Sequence, residues 1–318
     1  MKSFFTQGVA VLFEQVPTLD VIEAVLGRVV LKRNEVGTAM FSGPSLLVGF
    51  RPEVNGLIQI DIVDRPWPDD MGSPNGDPEL FAAWSMGHFG PFTYPGNLER
   101  ACSSATKWQD GSRAAVARHR AFVRIRLSYV FGAAEDSLTR PADCDPAAEL
   151  VAVTEMAGLI GRASGALAYF NPNAEVIMPP GELAETITFA AAHSRIPIEA
   201  WAQVRIVNLD GMADGWMMMD TVGLAQLDLP DFEAVFPAGR FDPNAVYMCL
   251  LNLGLYVAGA GDVFEEGHTT EGPSGSLLRT RRFEQALMAP PRPTVRLFDD
   301  EVRKTPKKLL AKAFGAPS

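Results

Sequence analysis

Apolar positions recur along this chain with two periods, and the switches between them mark out the elements. Phe5 to Phe13 is apolar almost without interruption, which predicts a strand buried on both faces. Thr18 to Leu26 places Val21, Ile22, Val25 and Leu26 on one side of a short helix. Ser45 to Phe50 predicts a second strand. In Leu57 to Val63, Ile58, Ile60 and Ile62 alternate with Gln59 and Asp61, the period of a half-buried strand. Asp64 to Asp77 is rich in Pro, Asp and Gly and predicts a loop. Asp77-Pro78-Glu79 then combines a capping carboxylate, a proline suited to the first helical position and an acid for the positive end of the dipole. That helix is expected to reach about Met86, with a break over Gly87 to Gly96 and a short helix around Leu98 to Thr106.

Ala121, Val123, Ile125, Leu127 and Tyr129 alternate with Phe122, Arg124, Arg126 and Ser128, which predicts a strand with one buried face and a basic outer stripe. Asp145-Pro146 opens a long helix striped by Leu150, Val153, Ala157, Ile160 and Leu167. Gly158, Gly161 and Gly165 thin that segment, as close packing on a neighbour requires. Gly181 to His193 is expected to be helical. Ala202 to Ile206 and Trp216 to about Leu229 predict a hairpin joined by a tight turn over Asp210 to Gly215. Asp242-Pro243 starts a second long helix with Val246, Leu250, Leu253 and Val257 as its stripe, closed by Gly259 and Gly261. Ser276 to Phe283 and Thr294 to Phe298 are late strands.

Strands outnumber helices, and several neighbours are joined by short turns. The expected class is α+β, antiparallel sheets with helices packed on one face. Arg118 to Phe170 and Trp216 to Thr270 each run from a strand to an Asp-Pro helix start and a Gly-interrupted apolar helix, so two similar strand–helix halves are expected. The expected organisation is an N-terminal α+β part over 1–110, packed as one compact unit with a second part over 111–300, and a basic tail over 301–318. In that tail Lys304, Lys307, Lys308 and Lys312 alternate with Leu309, Leu310 and Phe314, the pattern of a detachable helix.

Composition narrows the function classes. A 318-residue chain with 47% hydrophobic and 21% charged residues can bury a sizeable core and is not disordered. A net charge of −10 opposes non-specific nucleic-acid binding, which needs cations for the phosphates. It suits a soluble protein or a basic partner. Cys102, Cys144 and Cys249 show no metal-ligand spacing and fit a reducing compartment, with Cys249 read as a small buried hydrophobe. The first residues read as a strand and not a signal peptide, and no apolar run reaches the roughly 18 residues of a membrane span. The expected setting is therefore cytoplasmic, with no membrane and no cofactor.

Catalytic motifs are missing from the sequence. Gly254 to Gly261 closes a helix where a dinucleotide fingerprint would open one, and Gly272-Pro273-Ser274-Gly275-Ser276 lacks the spacing of a nucleophile elbow. His88, His119, His193 and His268 form no helical metal pair, so no metal site is expected. Two clusters remain. Asp61, Asp64, Asp69, Asp70, Asp77 and Glu79 surround Trp67, an aromatic inside an acidic rim; this fits either an interface to a basic partner or an acidic surface loop whose Trp caps the core. Asp262, Glu265, Glu266, His268 and Glu271 follow the second long helix, and fit either an acid–base group or a solvated turn. Arg118, Arg120, Arg124 and Arg126 can meet an anion or pair with acids on a neighbouring strand.

Thr221-Val222-Gly223-Leu224, Leu229-Pro230-Asp231-Phe232-Glu233 followed by a helix, and Gly267-His268-Thr269-Thr270-Glu271-Gly272 together resemble the bacterial domain of unknown function 4261. His119 to Val123 and Gly165 to Phe170 look like the region that commonly precedes that domain, so the resemblance spans roughly 110–300. His268 and Thr269 stand where the family's turn usually carries acidic residues around a glycine. The resemblance implies no established activity and no catalytic residue. Its relatives occur among bacterial accessory and toxin-neutralising proteins, which implies a protein-binding module, an immunity or accessory protein that engages a basic toxin or secreted effector. Trp67, Asp64, Asp69, Asp70 and Asp77 are then the expected partner-binding residues. The alternative is an enzyme with a site assembled around His268 with Glu265 or Glu266.

Overall fold

The computed structural model describes residues 2, 4–27, 30–37, 41–105, 107–131, 139–302 and 304–310. Two compact units separate at 200/201: residues 1–200 and residues 201–318. The division expected at 110/111 does not coincide with it, because the strand just after that point is paired into the first unit's sheet.

The first unit contains β1 (Gln7–Phe13), α1 (Leu19–Leu26), β2 (Val30–Asn34), β3 (Ser45–Arg51), β4 (Gly56–Val63), α2 (Pro78–Ser85), α3 (Asn97–Ser104) and α4 (Gln109–Arg118). It continues with β5 (Ala121–Ser128), α5 (Pro146–Ile160), β6 (Ala166–Asn171), β7 (Val176–Met178) and α6 (Pro180–Ala192); α7 (Ile198–Trp201) stands at the division. The sheet order is β2-β3-β4-β5-β1-β6-β7, antiparallel throughout. All seven residues of β1 are buried, as the uninterrupted apolar run requires. Ala10 and Leu12 face a core built with Trp67, Leu80, Trp84, Phe89 and Leu98 of the α2–α4 layer. Val9, Val11 and Phe13 alternate to the other face, and α5 packs on β1, β5 and β6. Helices thus cover both faces of this sheet, where the expectation was one. Gly158 explains the tight α5–α6 packing, since a Cβ there would lie 2.9 Å from Cδ1 of Ile187.

The second unit contains β8 (Gln203–Asn208), β9 (Trp216–Val222), β10 (Asp231–Pro237), α8 (Pro243–Ala260), β11 (Thr269–Glu271), β12 (Leu277–Phe283) and β13 (Thr294–Asp299). Its sheet order is β11-β12-β13-β10-β9-β8, with β10 and β13 parallel and the other pairs antiparallel. The strand expected to run from Trp216 to Leu229 ends at Val222, where Gly223 takes φ +132° and the chain turns through a short 3-10 segment. β10, which the sequence pattern did not separate from the helix after it, lies in the interior of the sheet. α8 packs on β8, β9 and β10 through Val246, Leu250, Leu253 and Val257, the expected stripe. Cys249, expected to be buried, is half-buried with Sγ 3.9 Å from the Glu271 carbonyl oxygen.

The three Asp-Pro helix starts form as the sequence predicts. Asp77 accepts from Leu80 N, Asp145 from Ala147 N and Ala148 N, and Asp242 from Asn244 N. The two strand–helix segments nonetheless connect differently. From β5, α5 leads to β6 on the far side of β1, whereas α8 leads from β10 to β11 at the edge of the sheet. What the two halves share is local. The tail's first part is docked rather than detachable: Leu309 is buried, and its carbonyl accepts from Nη1 of Arg296. Lys312 and Phe314 lie outside the described residues.

Candidate binding site

The acidic loop around Trp67 is committed to the first unit's fold. Trp67 is only 4% exposed, with its ring against Phe89, Phe122 and Phe170 at centroid distances of 5.0–5.2 Å. Its Nε1 donates to Asn97 Oδ1, and its backbone N–H donates to His119 Nε2 at 2.9 Å. Nδ1 of His119 points at the Val116 carbonyl, so the imidazole is neutral with its proton on Nδ1, and burial holds its pKa below the ordinary histidine value. Asp69 caps α3 from across the loop, accepting from Leu98 N at 2.8 Å and Glu99 N at 2.9 Å. Asp70 accepts from Gly72 N, and Asp77 caps α2. Asp64 is exposed at the rim of a shallow depression shared with Asp20, Arg33 and Glu35. The expected aromatic anchor is therefore core, and of the two readings of this loop the structural one describes it.

Asp61 and the basic stripe are also internal. Asp61 is fully buried, receiving Arg124 Nε at 3.2 Å and Nη2 at 2.6 Å, and Arg126 Nη2 at 3.0 Å. Burial alone would push its carboxyl up, but the two guanidinium groups outweigh that and hold it below the usual carboxylate range. The outer face of β5, expected to be solvated, is covered because Arg124 also donates to the carbonyls of Phe41 and His88. Arg118 pairs on the surface with Glu14.

Sequence reasoning missed a similar device in the second unit. Cross-strand register aligns Arg205, Asp220, Glu233 and Arg296 in one row across β8, β9, β10 and β13. Asp220 accepts from Arg205 at 3.0 and 2.6 Å and from Arg292 at 2.6 Å; Glu233 accepts from Arg296 at 2.8 Å. Asp231 accepts from Thr221, Gly223 N and Leu224 N, and burial pushes its carboxyl up against the opposing pull of Arg292. The available signal was one or two charged residues in each otherwise apolar strand, but it needs the register to be read.

The residues after α8 form an open groove of about 510 Å³ lined by Tyr256, Val263, Phe264, Gly267, His268, Thr269 and Arg279. One wall is apolar. Phe264 is buried, edge-on to Phe232 of β10 and to Tyr256, while Tyr256 itself is 56% exposed. The other wall is polar. The exit loop is held in shape by β12: Arg282 binds both carboxylate oxygens of Asp262 and the Phe264 carbonyl, its N–H donates to Glu266, and Thr280 Oγ1 donates to the Glu265 carbonyl. Arg279 is likewise bidentate to Asp300. Glu265, Glu266 and Glu271 have no Lys or Arg ion pair among the described residues, and Glu265 is 83% exposed.

His268 and Glu265 are brought together, but both imidazole nitrogens are taken by that one residue. Nδ1 accepts from Glu265 N at 3.3 Å, which leaves the ring proton on Nε2, 3.5 Å from Glu265 Oε2. Glu266 is held by the backbone of Arg282 and not by the histidine.

Residues 220–298 match the model of a domain of unknown function, DUF4261. The match begins at Asp220 and takes in Asp231, Glu233, Arg292 and Arg296 of the buried charge cluster, together with every residue lining the groove. It lies within the second unit, and residues 110–219 fall outside it. No curated protein and no solved structure matches the chain. No helix among the described residues is long and apolar enough to cross a membrane.

Proposed function

We propose that this protein is a protein-binding module, and that its partner surface is the groove after α8 rather than the loop around Trp67. The observation that carries this reading is the Tyr256 ring, more than half exposed beside the buried Phe264 on a loop pinned in place by Arg282. A rigid, exposed aromatic beside an apolar wall supplies contact area at small entropic cost. The net charge of −10 and the exposed carboxylates of the loop after α8, Glu265 and Glu266, favour a basic partner. The role that fits the resemblance in the sequence is that of an immunity or accessory protein neutralising a toxin or secreted effector by occlusion.

The enzyme alternative rests on the His268–Glu265 contact. A histidine acting as base in such a pair keeps one nitrogen free for the substrate, and here both face Glu265. Binding is therefore the better-supported reading. Cross-linked pull-downs from the native lysate at low and high salt test it, comparing the wild type with Tyr256→Ala. A salt-sensitive partner captured by the wild type and depleted with Tyr256→Ala is the expected result. Capture that Tyr256→Ala leaves intact would remove the groove from the reading; no capture from cells expressing the neighbouring genes would remove protein binding itself.

A further inference from the structure

We infer that the groove after α8 takes a short, extended segment of its partner in which an arginine or lysine lies next to an apolar side chain. This rests on the protein-binding reading above and specifies its ligand. Scale is the first argument. With seven lining residues the groove receives one or two side chains, whereas two docking domains bring together roughly 20–30 residues a side.

Charge is the second argument. Of the three arginines of β12, Arg279 and Arg282 are each met by a bidentate carboxylate, Asp300 and Asp262, and Arg281 lies over the Phe298 ring. Glu265, Glu266 and Glu271 have no Lys or Arg salt bridge among the described residues, and together with Asp262 and Asp300 they outnumber the arginines of β12, so the local field is negative. A basic segment therefore meets carboxylates already exposed, Glu265 foremost at 83% exposed, where an acidic one meets like charge.

Wall chemistry is the third argument. The exposed Tyr256 ring offers a face to a guanidinium or ammonium group, and Val263 and Phe264 beside it offer an apolar surface. The peptide backbone of the segment finds a hydrogen-bonding hydroxyl on the opposite wall, at Thr269. The cation and the apolar side chain must then be close together in the segment, because the two features that receive them are neighbours on one wall.

The test is fluorescence anisotropy on the full chain with three labelled decapeptides: alternating Arg and Leu, the same with Glu for Arg, and the same with Gln for Arg. The arginine peptide is expected to bind with an affinity that falls with salt, the glutamine peptide at least tenfold more weakly, and the glutamate peptide not detectably. Tyr256→Ala should weaken the arginine peptide at least tenfold, and Glu265→Gln with Glu271→Gln should flatten its salt dependence. Thermal melts matching the wild type would show that these exposed substitutions leave the fold intact. Equal binding of the arginine peptide to wild type and Tyr256→Ala overturns the inference. So does failure of all three peptides while lysate capture stays dependent on Tyr256; protein binding then survives with a folded partner surface. Failure of the peptides together with groove-independent capture removes both.

Discussion

Replacing Asp61 by Asn tests whether the buried charges hold the first unit together. The substitution is nearly isosteric, so packing changes little, but it removes the carboxylate that bonds to both Arg124 and Arg126. An amide oxygen in the Oδ1 position can accept at most two of the three hydrogen bonds, and the amide NH₂ in the Oδ2 position faces a guanidinium donor that it cannot satisfy. Both arginines are 1–2% exposed, so they cannot swing out to water without opening the sheet. Breaking a buried pair by deleting one partner costs about 3–5 kcal/mol. With a urea slope of about 2 kcal/mol/M, the midpoint should fall by roughly 1.5–2.5 M. Three of the five tryptophans, Trp67, Trp84 and Trp108, lie in this unit, so with Trp201→Phe and Trp216→Phe in each protein compared, tryptophan fluorescence of the full chain reports on it. Glu14→Gln, at the exposed pair with Arg118, serves as the comparison and should leave the midpoint within error of wild type. A loss below about 1 kcal/mol for Asp61→Asn, or one equal to that of Glu14→Gln, would refute the reasoning. Asp61→Leu combined with Arg124→Met and Arg126→Met should recover most of the loss, because an apolar replacement leaves no charge stranded.

Four further outcomes follow from the same contacts. Acidification acts through His119, whose pKa is lowered in the folded state by burial: the unfolded chain binds its proton first, so stability is full above about pH 6.5 and falls as pH drops through that value. His119→Gln can still donate to Val116 and accept from Trp67, and should flatten the slope of urea midpoint against pH between about 5 and 7. At lower pH the depressed carboxyl of Asp61 adds a second loss, beginning below about pH 4 and completed as pH falls through its folded value; this loss should vanish in Asp61→Asn. Trp67→Ala should cost about 3–5 kcal/mol by urea titration, and any loss of partner binding should track the unfolded fraction. Asp69→Ala should cost about 1 kcal/mol through the lost α3 cap, without changing the salt dependence of partner association; a change in that dependence at full stability would return the loop to the interface.

Elements with local signals were legible in the sequence, and those set by distant partners were not. The capping residues Asp77, Asp145 and Asp242 satisfy N–H groups two or three residues on, so the information sits in a few consecutive letters. Asp69 does the same work for α3 from nearly thirty residues away and therefore looks like one more loop acid. Trp67 shows the same limit. Its acidic neighbours suggest an exposed rim, but Asn97 and His119 reach it from α3 and the end of α4 to satisfy its polar groups inside the core. The groove was half legible: the acids after α8 stand together in the sequence, while the pairing of Arg282 with Asp262 that fixes the loop needs the fold of β12.

The charged row across the second unit's sheet shows what such hidden residues do. Asp220 and Glu233 stand directly opposite each other on β9 and β10, an arrangement that is destabilising by itself. Arg205 and Arg292 answer Asp220, and Arg296 answers Glu233, so the repulsion is cancelled only when β8, β9, β10 and β13 are all in register. A one-residue slip of β10 would turn Glu233 toward the α8 side, leaving Arg296 stranded and placing a carboxylate among Leu250 and Val257. The row thus acts against misregistered sheets more than it adds to the stability of the correct one. The groove inherits that precision, because Phe264 packs edge-on against Phe232, the residue beside Glu233 in β10, and Tyr256 packs on Phe264. Asp220→Asn combined with Arg205→Gln removes one end of the row and should loosen the groove before it unfolds the unit. Hydrogen exchange would show this as faster exchange over residues 261–269 at unchanged protection of α8; uniform loss of protection across both would assign the row to global stability alone.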